Sequence, residues 1–471
     1  MVFNSLLFLV FFAVVLILHH LPFSWRVKKW NLWIASYVFY AAWNPPFVVL
    51  LWISTLTDWI VGKRLADSEK RAHRIVWLVI SLSVNLGLLG YFKYGGFLLQ
   101  NFVELLDAVG IQFQPAAPDV VLPVGISFYT FQSLSYTIDI YRRELKPWDR
   151  FSDFAMFVTF FPQLVAGPIV RAADFLPQLK EPKQASARQL GWGFSLLTVG
   201  LFEKVILADT LLAPVGDKVY GAVQQAGSLD AWIGTLAFSG QIFFDFSGYS
   251  NCAIGAAMCL GFVLPDNFLY PYGAIGFANF WRRWHISLST WLRDYLYISL
   301  GGNRKGTART LVNIMLTMLI GGLWHGASWR FVVWGGLHGV YLLAERGVRA
   351  LMRGRRIVQR LNLQFSLALV TYFFICITWV FFRADDFPSA FLLTQKMFGR
   401  PGGSLVTFME GFTVLGINAA LVIAHWNMRD TSLETVAGRL PWWLRALALG
   451  SMLLALAFTP GEHRAFIYFQ F

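Results

Sequence analysis

Charged residues are scarce in this chain. Asp, Glu, Lys and Arg make up 14% of its 471 residues, against roughly 25% in a soluble domain, while 56% are hydrophobic. A water-soluble fold of this length could not hide that much apolar surface, so a soluble enzyme is excluded. Cysteine is nearly absent too. Cys252, Cys259 and Cys376 form no Cys-x-x-Cys pair and have no histidine at ligand spacing, so neither a disulfide framework nor a zinc site is expected. No repeat period or low-complexity tract stands out. The first apolar run, residues 2–18, lacks a basic leader and a small-residue cleavage site, so it reads as a retained helix and no removable targeting segment is evident.

What remains is a succession of long apolar runs separated by short polar stretches. A spanning helix needs about 20 mostly apolar residues, so the runs predict an all-α polytopic membrane protein of about ten to twelve transmembrane helices, arranged as one domain over residues 1–471. The net charge of +13 does not point to nucleic acid, because the basic residues lie in short clusters between apolar runs rather than on one soluble face. Positive-inside bias accounts for them. Arg26, Lys28 and Lys29 then lie in the cytoplasm and the N-terminus outside. Trp43-Asn44-Pro45-Pro46 stops a helix between that cluster and Lys63-Arg64, so residues 31–62 predict two short helices with an outer turn. Further runs lie at about 75–99, 120–141, 152–170, 190–212, 231–264, 362–382, 409–426 and 441–459. Arg142, Arg143 and Lys146 mark another cytoplasmic turn, Arg304 and Arg355 are expected in the cytoplasm, and the turn at 383–388 is expected outside.

Residues 279–300 follow a different pattern. Trp281, Trp284, Leu288, Trp291 and Tyr295 recur at helical spacing with Arg282, Arg283 and Arg293 between them, which predicts a helix lying in the membrane interface. Two apolar arms follow, at about 310–324 and 329–344, each bordered at its far end by basic residues. Between the arms stands Gly321-Gly322-Leu323-Trp324-His325-Gly326-Ala327-Ser328. From Arg309 to His325 a helix rises roughly 24 Å of a roughly 30 Å hydrocarbon core, which places His325 beyond the midplane from the cytoplasm. An ionisable side chain at that depth is costly unless it faces a cavity or a partner. Imidazole can accept a hydroxyl proton near neutral pH and return it to a leaving group. The alternative for His325 is a hydrogen bond to a neighbouring helix.

His285, among Trp284, Arg282 and Arg283, reads from local sequence as an interface anchor or a functional group; the two arginines suit donor phosphates or lipid headgroups equally. Asp245, a carboxylate in an apolar segment, must pair with a base or line a hydrated cavity. His338, on the returning arm, reads as packing or pore-lining, while His19, His20, His73, His425 and His463 fall near run ends, where a wet interface makes them unremarkable.

Taken together, LPVGISFYTFQSLSYTIDIYR at 122–142, FFPQLVAGPIVR at 160–171, FDFSGYS at 244–250, FWRRWHISLSTWLRDYLYISLGGNRKG at 280–306, GGLWHGASW at 321–329 and the terminal FIYFQF resemble the membrane-bound O-acyltransferase superfamily, in its bacterial alginate O-acetyltransferase branch. The resemblance implies a helical membrane fold with interfacial or re-entrant helices around a central tunnel, with His325 and His285 as catalytic histidines. It implies Asp245, Trp324 and Ser328 as supporting or tunnel-lining residues and Arg282 and Arg283 at the donor. It further implies acetyl-CoA as a cytoplasmic acyl-donor substrate with no bound cofactor or metal, and placement in the bacterial inner membrane. The expected partners are membrane lipids, an extracytoplasmic acetyltransferase and a polysaccharide-synthesis complex; the acceptor is an exopolysaccharide of the alginate or cellulose type. One position departs from the branch: where its members often carry aspartate after Gly-Tyr-Ser, this chain has Asn251. Two other readings are a D-alanyl transferase toward teichoic acid and, in a different class, a proton-coupled transporter using His325 and Asp245; no inverted-repeat pair of broken helices supports the latter.

Overall fold

A computed structural model describes residues 1–116, 120–165, 167–351, 361–399, 404–459, 464, 466 and 467. Arg355, His463 and most of the terminal FIYFQF lie outside these residues. Among the described residues every regular element is helical. Five helical stretches are long and apolar enough to cross a bilayer: Pro45–Asp67, Arg71–Ala108, Gly306–His325, Leu363–Arg383 and Phe408–Met428. Leu6–His20 and Trp442–Phe458 are shorter apolar helices. The chain is a multi-pass membrane protein. Its large exposed hydrophobics, such as Leu6, Val76, Phe412 and Leu447, are the side chains such a protein turns toward lipid.

The described chain divides into two compact units, Met1–Gly193 with Ala253–Pro265 and Gly326–Ser328, and Phe194–Cys252 with Asp266–His325 and Trp329–Phe471. The first contains α1 (Leu6–His20), α2 (Trp25–Ala41), α3 (Val48–Asp67), α4 (Arg71–Leu89), α5 (Gly95–Ala108), α6 (Ile126–Arg142), α7 (Phe151–Thr159), α8 (Phe161–Leu164) and α9 (Ala172–Phe175). The predicted stop at Trp43–Pro46 does separate α2 from α3. A π turn at Gly90–Tyr94 joins α4 to α5, so the run predicted at 75–99 is longer at both ends. The run at 152–170 is helical only to Thr159 before breaking into α8 and loop, because Phe160 leaves the helical region and Pro162 follows. In α3 and α4 a polar knot replaces apolar packing. Asp58 accepts from Ser81 at 2.5 Å and Asn85 at 3.1 Å, and Ser54 donates to Asn85 at 2.6 Å. Each polar group there satisfies another, which removes most of the cost of burying it. His19, expected at a wet end, is instead buried and bonded to the Lys183 carbonyl at 3.1 Å.

The helices α10 (Ala187–Leu201) and α12 (Ser228–Cys259) pass from one unit into the other, and α11 (Ala213–Gly221) lies between them in sequence. The second unit then holds α13 (Phe277–Trp281), α14 (Ile286–Trp291), α15 (Gly306–His325), α16 (Trp329–Leu351), α17 (Leu361–Arg383), α18 (Phe387–Met397), α19 (Phe408–Met428), α20 (Leu433–Arg439) and α21 (Trp442–Phe458). The single interfacial helix predicted at 279–300 is not formed. The chain turns between α13 and α14, where His285 takes a left-handed backbone at φ 43° and ends the periodicity. Trp284, Leu288 and Trp291 are buried against neighbouring helices rather than floating as interface anchors. His425 is likewise internal, its Nδ1 accepting the Tyr272 backbone N–H at 3.2 Å.

Candidate active site

The two arms predicted around His325 form the helical hairpin α15–α16. Glycines set its closeness: a Cβ on Gly322 would collide with the Phe331 carbonyl, and one on Gly335 with the Met318 carbonyl. Backbones can approach this tightly only where both helices lack side chains at the crossing. His325 is the last residue of α15. Its ring meets the edge of Trp334 at 4.9 Å and lies 5.5 Å from Phe382.

His325 lines a cavity of about 770 Å³, within the size range of small-molecule sites. From α15 the wall takes Thr307, Ile314, Thr317, Gly321 and His325, a single face at three- to seven-residue steps. Thr307 to His325 measures about 27 Å along the helix, so the cavity follows α15 for most of its length. At the end away from His325 the returning helix supplies Arg346 and Arg349, while Arg282 and Arg293, from the segment around α13 and α14, also line the wall. Glu345 tempers this basic rim. It pairs with Arg349 at 2.5 Å and accepts the Ala278 N–H at 2.9 Å, tying α16 to α13. The arrangement is a channel with cations at one end and an imidazole at the other.

His285 belongs to a different setting and is absent from the cavity wall. Its Nδ1 lies 3.1 Å from Asn267 Oδ1, which also accepts the Ser287 N–H at 3.3 Å and the Ser287 hydroxyl at 2.8 Å. A backbone N–H can only donate, so the amide atom facing it is oxygen, and Asn267 Nδ2 donates to Ser250 at 3.1 Å. Nδ1 of His285 must therefore carry a proton. In the neutral ring the basic lone pair is then on Nε2. Phe246 packs on the ring edge at 4.5 Å and is itself covered by Phe466 at 5.5 Å.

Asp245 sits in an ion cluster outside the cavity wall. Lys204 donates to Asp209 at 2.9 Å and to Asp245 at 3.0 Å, and Asp245 also accepts the Ile467 N–H at 3.1 Å. The pairing with a base expected from its burial is present. Arg283 donates to the carbonyls of Leu269 at 3.1 Å and Arg429 at 2.7 Å, whereas its neighbour Arg282 lines the cavity. Trp324 is half-buried, and Ser328 donates its N–H to Gly326 at 2.9 Å; neither lines the cavity. His338 is a packing residue, with Trp334 at 4.7 Å, Trp281 at 5.0 Å and Thr378 at 3.2 Å. The sequence reading missed Arg293, Arg346 and Arg349 as cavity residues, and it missed Asn267. Arg346 and Arg349 carried a signal, because they lie on the same helix face three residues apart, and Arg293 stood in the same aromatic–arginine pattern as Arg282. Asn267 carried none. Asn251, the departure noted in the sequence, donates to Glu203 at 2.9 Å.

Residues 140–383 match the membrane-bound O-acyltransferase family. The chain is 42% identical over 402 residues to a probable alginate O-acetylase of Pseudomonas aeruginosa, covering 84% of this chain and 75% of the relative. It is 37% identical over 404 residues to a peptidoglycan O-acetyltransferase of Helicobacter pylori, covering 80% and 75% respectively. A teichoic acid D-alanyltransferase of Streptococcus thermophilus is more distant, 28% identical over 52% of this chain and 63% of that protein. The matched stretch contains the hairpin, the arginine-rimmed cavity and the His285 turn, and the chain is an O-acyltransferase belonging to the membrane-bound O-acyltransferase family.

Proposed function

We propose that the chain moves acetyl groups from cytoplasmic acetyl-CoA across the inner membrane for O-acetylation of an exopolysaccharide of the alginate or cellulose type, through an extracytoplasmic partner transferase. The observation that carries this reading is the cavity that joins His325 to an arginine rim along one helical hairpin. Arg346 and Arg349, with Arg282 on the same cavity wall, would hold the donor phosphates by charge-assisted hydrogen bonds. The thioester then extends along α15 toward the imidazole, a distance of about 27 Å that suits a long, thin donor.

At the far end His325 acts as general base. It takes the proton of the acceptor hydroxyl as that oxygen attacks the thioester carbonyl; the C–S bond breaks, and the departing thiolate receives the proton back from the imidazolium. His325 ends its helix, so the negative end of the helix dipole lies beside the positive charge that develops on the ring. His285 serves the reaction from the turn between α13 and α14, its Nδ1 fixed by Asn267. Asp245, Trp324 and Ser328 support the surroundings and Arg283 braces the donor segment. The names of the acetylating relatives favour acetyl over D-alanyl transfer, since those matches are longer and more similar.

The test is mass spectrometry of the cell's exopolysaccharide with and without this chain. Loss of O-acetyl groups, restored by the wild-type chain and not by His325→Ala, is the expected result. Unchanged acetylation on deletion, or loss of alanyl esters instead, would sink the reading.

A further inference from the structure

In the first unit, sharing no lining residue with the acyl-transfer cavity, a smaller cavity opens where the start of α2 meets the start of α7. It encloses about 310 Å³; α2 contributes Arg26, Lys29, Trp30 and Trp33, and the head of α7 contributes Arg150, Ser152 and Asp153. We propose that this cavity binds the phosphate of an anionic phospholipid whose acyl chains lie along α2.

The charge balance is the first argument. Asp153 is already committed, accepting Lys29 Nζ at 2.6 Å on one oxygen and the Trp148 indole N–H at 3.3 Å on the other. Arg26 and Arg150 have no carboxylate at ion-pair distance among the described residues, and both are exposed. Two unpaired guanidinium groups on the rim of one concavity match the planar, bidentate recognition of a phosphate. Arg150 is also the N-cap of α7, a nine-residue helix, so the positive end of that helix faces the same site.

The second argument decides which phosphate. On α2, Val27, Trp30, Ile34 and Val38 are 42–55% exposed and follow one another at three- and four-residue steps, forming one apolar stripe. Trp30 belongs to both the stripe and the cavity wall. From Val27 to Val38 the stripe runs about 16 Å, close to the thickness of one leaflet's hydrocarbon. A soluble phosphate compound leaves that stripe uncovered. A phospholipid covers it while its headgroup occupies the basic cavity, and tryptophan beside arginine and lysine is the side-chain combination that membrane interfaces select. The lipid would bridge α2 and α7 alongside the Lys29–Asp153 pair.

The experiment uses the full chain purified in detergent and titrated separately with phosphatidylglycerol, phosphatidylcholine, inorganic phosphate and coenzyme A, reading retained ligand by native mass spectrometry and the unfolding temperature. Phosphatidylglycerol is expected to be retained and to raise the unfolding temperature, with the other three having no effect through this site. Arg26→Gln and Arg150→Gln should each weaken retention about tenfold, the worth of one good charge-assisted hydrogen bond. Arg150→Lys, which keeps the charge and loses the fork, should fall between. Arg304→Gln with Lys305→Gln, a basic pair elsewhere, should leave retention intact. The proposal is overturned if the Arg26 and Arg150 variants retain lipid as the wild type does, or if the Arg304/Lys305 variant loses it equally. It is also overturned if inorganic phosphate or coenzyme A protects the protein in a manner abolished by Arg26→Gln.

Discussion

His325 and His285 lie in the same unit and are equally hidden from solvent, at 3% and 2% exposure, yet they are buried in different ways. His325 ends a spanning helix, packs against Trp334 and opens on the long cavity. His285 sits in a left-handed turn, outside that cavity, with one ring nitrogen bonded to an asparagine that three other groups also use. Burial alone therefore does not separate the histidine proposed to react from the one proposed to support it. What separates them is whether a substrate-sized space reaches the ring, and how firmly the ring's proton is assigned.

The largest effect that this contrast predicts is on His325→Ala. Removing the general base should cost about 10²–10⁴-fold in acyl transfer while the folded yield in detergent stays near normal, since the change adds no charge to an apolar helix. Near-normal turnover by a well-folded variant would erase the contrast. Next comes the hairpin that carries the histidine. Gly335→Ala drives a methyl group into the Met318 carbonyl, and helix separation at a glycine-packed crossing should cost about 1–3 kcal/mol, visible as a lowered unfolding temperature together with lost activity. An unchanged unfolding temperature would mean that the close approach is not what holds the cavity's wall.

Arg346→Gln combined with Arg349→Gln probes the other end of the cavity. The pair should raise the donor KM by about tenfold or more with kcat nearly unchanged, because the phosphates are far from the reacting carbon. A fall in kcat at saturating donor would place those arginines nearer the chemistry than the cavity's length implies. The smallest effects are expected at the sealed site. His285→Ala should lower transfer several-fold, most clearly at limiting donor, and Asn267→Ala should reproduce part of that loss by freeing the Nδ1 proton. If transfer is unchanged across a donor titration in both variants, His285 is a packing residue and the comparison reduces to one functional histidine.

Much of the architecture could be read from the residues in order. Most apolar runs set where helices lie, the Asn44-Pro45-Pro46 stop divided α2 from α3, and the glycine-rich break placed His325 at the tip of a hairpin, because each of these depends on side chains adjacent in sequence. The family motifs carried the enzyme class in the same local way. Periodicity misled at 279–300, where evenly spaced tryptophans predicted one interfacial helix but the buried ring of His285, held by Asn267 from an earlier segment, turns the chain between two short ones. The arginine rim had a similar origin: Arg346 and Arg349 mark a cytoplasmic end in sequence and become cavity residues only once α16 folds back along α15. Asp245 announced that it needed a base, but only the fold chose Lys204, forty-one residues earlier, and added Asp209 and the Ile467 amide. Composition and local pattern thus determined that the chain lives in a membrane as helices and where its cavity-lining histidine lies. The partners of each buried polar group were decided by tertiary structure, because a desolvated charge or imidazole is stabilised by whichever distant groups the packed helices bring within hydrogen-bonding reach.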